Sequence, residues 1–111
     1  MSYPVKYFET KTNKPIIDFL STLDKGVYGK CLKNIETLRR YGPFLRMPYV
    51  KKITVDLFEL RIRGRDGIRF LFARKNNIFY LLHGFKKKRQ KLLPRDIKIA
   101  KSRLTYITYM L

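Results

Sequence analysis

Between Val50 and Phe85 the chain passes through four β-rich segments, Val50 to Val55, Leu57 to Arg63, Ile68 to Arg74 and Ile78 to Phe85, with little between them. The connections Gly64-Arg65-Asp66-Gly67 and Asn76-Asn77 are too short for a crossover and rich in turn residues, so they join antiparallel neighbours. The spacing predicts a β-meander. Alternation then gives each strand two faces. Phe58, Leu60 and Ile62 point one way while Glu59, Arg61 and Arg63 point the other, and Phe70 and Phe72 oppose Arg69, Leu71 and Ala73. Packing the aromatic faces under helices leaves Glu59, Arg61 and Arg69 together on an open face. Both faces of Ile78 to Phe85 are apolar, as in a central strand, so alternation assigns His83 no side.

Helical periodicity flanks this meander. A first strand is expected at Tyr3 to Phe8, followed by a turn at Thr10 to Asn13. Pro15 suits a helix start, Ile16, Ile17, Leu20 and Leu23 recur at helical spacing, and Gly26 is expected to stop that helix. Tyr28, Cys31, Leu32, Ile35 and Leu38 form a second stripe closed by Gly42 and Pro43, which places Cys31 in the core. Pro94 opens a C-terminal helix with Ile97, Ala100, Leu104 and Ile107 inward and Lys98, Lys101 and Arg103 exposed. The expected class is α+β: an N-terminal strand, a helical hairpin packed on an antiparallel meander, and a last helix. With no repeats or linkers, residues 1–111 make one domain, since a chain of this length supports a single core.

Charge decides the partner. The chain carries 26 Lys+Arg against 8 Asp+Glu, a net +18, yet 45% of its residues are hydrophobic and 14% aromatic, too apolar for a disordered basic tail. From Leu57 onward there are 15 Lys+Arg and 3 Asp+Glu, so the excess concentrates in the sheet and its C-terminal edge. A compact domain so basic predicts a polyanion, nucleic acid ahead of a membrane surface. One cysteine and one histidine make neither a disulfide framework nor a closed four-ligand zinc site, and no metal or cofactor is expected. No apolar stretch approaches the ~20 residues of a spanning helix, and Met1 to Glu9 carries no export signal, so a cytoplasmic location is expected.

Three stretches taken together resemble the RelE/ParE toxin superfamily, in particular its phage-related HigB-like branch: Leu57-Phe58-Glu59-Leu60-Arg61, Gly67-Ile68-Arg69-Phe70-Leu71-Phe72, and Leu81-Leu82-His83-Gly84-Phe85-Lys86-Lys87-Lys88-Arg89-Gln90-Lys91. Pro94 and Ala100 fit the proline and last helix of that branch, and the order of elements fits over almost the whole chain. Two departures stand out: Leu92-Leu93 lengthen the approach to Pro94, and Ile68 replaces a common aromatic. The resemblance implies a RelE-like fold and a type II toxin. Such a toxin is an endoribonuclease that cuts mRNA, generally on the ribosome, by driving the ribose 2′-hydroxyl against the adjacent phosphate without a metal. It also implies a cognate helix-turn-helix antitoxin, HigA-like, through which alone the pair reaches operator DNA. Relatives of the ParE type inhibit DNA gyrase instead, and a noncatalytic nucleic-acid-binding protein is a third reading.

That reaction needs a proton acceptor, cations for the phosphorane and a donor for the leaving 5′ oxygen. Arg61 and Arg69 can clamp phosphate oxygens while staying protonated. Lys87 or Lys88, crowded by other cations, is a candidate for proton transfer. Glu59 is an alternative base or, two residues from Arg61 on the same face, an ion-pair partner of an arginine; better-studied RelE-type enzymes carry lysines where this strand has Glu59, so their catalytic roles do not transfer position by position. His83 is either a packed strand residue or an acid-base group. Arg63, Arg65, Lys86, Arg89 and Lys91 are the expected RNA-binding cations.

Overall fold

The computed structural model describes residues 2–88 and 91–110. Strand β1 (Val5–Tyr7) is followed by α1 (Pro15–Ser21), α2 (Lys25–Tyr41), a 3-10 turn (Gly42–Phe44), β2 (Val50–Lys52), β3 (Phe58–Arg61), β4 (Ile68–Lys75), β5 (Ile78–Lys86) and α3 (Pro94–Met110). The α+β, RelE-like arrangement is as expected. One five-stranded sheet runs β1-β5-β4-β3-β2. Strands β2 to β5 are the antiparallel meander, and β1 lies parallel to β5 at the far edge. Asn76 and Asn77 both hold positive φ, 52° and 64°, the pair that a type I′ hairpin turn demands.

The helical hairpin departs from expectation at its turn. Helix α1 stops at Ser21 rather than running to Gly26, and the Thr22 hydroxyl donates back to the Phe19 carbonyl at 2.7 Å. Asp24 takes over as N-cap of α2, its carboxylate accepting from the Val27 N–H at 3.0 Å. Gly26 therefore lies inside the first turn of α2. The capping carboxylate, a stronger local signal than glycine's freedom, sets the boundary. Val27, Cys31, Ile35 and Leu38 face the core, while Tyr28 and Leu32 sit at the edge of the stripe and remain 40% exposed. Burial pushes the Cys31 thiol up to about 11, as suits a core residue.

Both faces of the sheet are covered, but unequally. On the first, Phe58 stacks on Phe72, Phe72 meets Phe79, and Phe19 of α1 meets Phe70 edge-on at 5.7 Å. Phe19 comes so close that a Cβ on Gly84 would lie 2.5 Å from its ring, which is why that strand position is glycine. On the second face α3 packs against β4 and β5 at the end holding Leu71, Ala73 and Tyr80, all buried. Arg103 is a correction to the exposed lysine row of α3. It is half-buried, its guanidinium donating to the Leu82 carbonyl at 2.8 Å and lying over the Phe8 ring. Among the described residues no helix is long and apolar enough to cross a membrane.

Candidate active site

The second face carries the charged residues at the end α3 leaves uncovered. Cross-strand register puts Arg61 opposite Arg69 and Arg69 opposite Phe85, and one row deeper Glu59 opposite Leu71 and Leu71 opposite His83. Directly opposed side chains share a face, with Cβ atoms ~4.5–5.5 Å apart. Alternation along β3 and β4 thus gathers Glu59, Arg61 and Arg69 as the sequence predicts.

Glu59 is the hub. It is fully buried, with Oε1 accepting from Arg61 Nε at 3.1 Å and lying 3.9 Å from Arg69 Nε. The second distance is an ion pair but too long for a hydrogen bond, so Arg69 Nε and Glu59 Oε2 are buried polar atoms with no hydrogen-bond partner among the described residues. Arg69 instead turns one terminal nitrogen onto the Ile68 carbonyl at 3.0 Å. One carboxylate between two guanidiniums leaves an uncompensated positive charge, and both arginine side chains keep partial exposure, 27% and 20%. Burial lowers the Arg69 pKa, with Glu59 opposing, yet a guanidinium stays charged at any working pH.

His83 acquires its side from a bulge. Leu71 pairs with His83 but Phe72 pairs with Leu81, so Leu82 is an extra residue in β5 and the alternation reverses there. His83 thereby joins the arginine face although Leu81, two residues away, points to the other. Its Nε2 lies 2.8 Å from Oδ1 of Asp96, a buried carboxylate in the first turn of α3, and its ring stacks on Phe85 with centroids 5.2 Å apart. Burial lowers the His83 pKa, and this outweighs the opposing pull of Asp96. The neutral ring donates Nε2–H to Asp96, which leaves the Nδ1 lone pair as an acceptor; among the described residues Nδ1 makes no hydrogen bond.

Beside Phe85 a cleft of about 450 Å³ opens between the end of β5 and the start of α3, lined by Lys86, Lys87, Lys88, Lys91, Arg95 and Asp96 among others. Its lysine segment is fixed to the β3–β4 turn. The Lys87 N–H donates to the Gly67 carbonyl at 2.7 Å, and Gly67, at φ 68°, has its would-be Cβ 2.6 Å from the Lys87 carbonyl oxygen. Only glycine allows these two backbones to meet. Arg65 is exposed in that turn, and Arg63 turns away, bonding the Tyr49 hydroxyl at 3.0 Å and covering its ring. Arg89, an expected RNA-binding residue, lies outside the described residues. Asp96 and Arg95 were missed by the sequence reading. The available signal was an isolated acid, Asp96, in a segment otherwise basic.

The model of a family described as phage-derived, Gp49-like proteins matches residues 18–105. No curated protein matches the chain.

Proposed function

We propose that this chain, which belongs to the phage-derived Gp49-like family of RelE toxin-like proteins, is the HigB-like toxin of a type II pair and cleaves mRNA without a metal. The observation that carries this reading is the arginine pair held on one buried carboxylate at the uncovered end of the sheet. Two partly exposed guanidiniums sharing a single acid have donors to spare, and a phosphorane is the ligand whose planar array of oxygens and extra charge they match.

In this scheme Arg61 and Arg69 hold the scissile phosphate. Diagonal to Arg69 on the neighbouring strand, His83 accepts the proton of the ribose 2′-hydroxyl on Nδ1. The 2′ oxygen attacks phosphorus, the bond to the 5′ oxygen breaks, and Lys87 or Lys88 protonates the departing oxygen. The products are a 2′,3′-cyclic phosphate and a 5′-hydroxyl end. Glu59, enclosed between two cations, positions Arg61 and Arg69 rather than moving protons. The remaining lysines and Arg65 bind neighbouring phosphates, and a ribosome orients the message and supplies alignment that so sparse a site lacks. A HigA-like helix-turn-helix antitoxin neutralises the toxin and carries it to operator DNA, with acidic residues for the cationic end. The reactions belong in the cytoplasm, where translated message is found.

Primer extension on translated mRNA after expression of the wild type and of Arg69→Ala tests the reading. Cuts within codons from the first and none from the second are expected. Toxicity with intact message and blocked supercoiling would replace the nuclease with gyrase inhibition.

A further inference from the structure

The cationic end contains one apolar ring that none of the charge arguments uses. Phe85 is half-buried, sits opposite Arg69 on the same face, and forms part of the wall of the lysine cleft. Its ring is not loose. It lies parallel to His83 within 15°, and His83 is in turn tied to Asp96 at 2.8 Å, so a strand residue, a helix residue and a bulge together hold the plane. An aromatic ring bordered on one side by a phosphate-matching arginine pair and on the other by Lys86, Lys87 and Lys88 has the composition of a single-strand binding track: cations for the backbone and a π-face for a base. Double-stranded nucleic acid offers no unstacked base to such a ring, which selects a single strand.

We infer that Phe85 is the platform on which one base next to the scissile phosphate stacks, while the following phosphate enters the lysine cleft. This rests on the RNA-cleaving reading for its substrate, but its consequence is separate from cleavage. A stacked base fixes the sugar attached to it, and with it the line between the 2′-hydroxyl and phosphorus. Stacking is tolerant of base identity, so the platform positions any codon.

The chain contains no tryptophan, so Phe85→Trp introduces a single indole at the platform. Titrating that variant at low salt with 2′-O-methyl hexaadenylate, which lacks the attacking hydroxyl, should quench the indole over the range where the anisotropy of a labelled hexamer rises. Phe85→Leu keeps an apolar group but no π-face. It should bind the hexamer roughly 5- to 100-fold more weakly than the wild type and raise KM for cleavage by a similar factor. Failure of the hexamer to bind at low salt, binding without quenching, or wild-type affinity and cleavage in Phe85→Leu would each overturn the platform. Quenching in a protein that leaves translated mRNA intact would retain the platform and remove the nuclease reading.

Discussion

The second face of the sheet has two ends built from the same strands and the same alternation, and they do opposite things. At one end Leu71, Ala73 and Tyr80 lie under α3 and form part of the core. At the other, Arg61, Arg69 and Phe85 occupy equivalent pleat positions beyond the reach of the helix and keep partial exposure. Strand geometry does not distinguish them. The direction in which α3 leaves the basic loop does, by covering one end and stopping short of the other, and the lysine cleft lies at that boundary. The candidate site is the part of a sheet face that a helix fails to cover, and its cations are tolerated there because water reaches them.

The contrast can be broken most sharply with charge-preserving changes at the open end. Arg69→Lys keeps the positive charge but loses the planar fork, and should cost about 10²- to 10³-fold in mRNA cleavage with little change in melting temperature; near-normal cleavage would mean that charge alone suffices. Ile107→Ala, on the helix that covers the other end, should do the reverse. Truncating a buried isoleucine destabilises by about 2–5 kcal/mol in denaturant titration, and specific activity of the remaining folded protein should hold.

Glu59 lies between the two regimes, a core residue by burial and a site residue by its partners. Glu59→Gln preserves shape and removes the charge that orders both guanidiniums. It should lower cleavage about tenfold and stability by about 1–2 kcal/mol, measured on the same preparation. A change in one without the other would assign it to one end only. The smallest effect is a slope. The folded-state pKa of His83 lies below its ordinary value of 6.5, so on acidification the unfolded chain takes up the proton first. Its contribution to stability is complete above about pH 6.5 and declines as pH falls below that value. His83→Gln should flatten the decline between pH 7 and 5 in thermal melts, and an unchanged slope would place the titration elsewhere; the cleavage left after loss of this base, lower by about 10²- to 10⁴-fold, should show no acid limb.

Much of this was legible in the residues. Alternation on β3 and β4 placed Glu59, Arg61 and Arg69 together because both strands are regular there and their pleats are polar on one side only. The fold class followed from short antiparallel connections and three well-separated helical stripes. What escaped has identifiable causes. The bulge at Leu82 reverses the alternation in a strand whose two faces are both apolar, so no pattern could reveal where His83 points. The pairing of His83 with Asp96 spans 13 residues and depends on how α3 docks, which is a tertiary matter. The parallel pairing of β1 with β5 likewise joins the two most distant strands of the chain. Within the hairpin, an N-cap at Asp24 prevailed over a glycine stop signal two residues later.

The Asp96 carboxylate belongs to α3, whereas the imidazole it grips belongs to the sheet. That bond works as a linchpin. The orientation of the ring is therefore only as fixed as the seating of the helix: whatever loosens α3 on the sheet reaches His83 without touching either arginine.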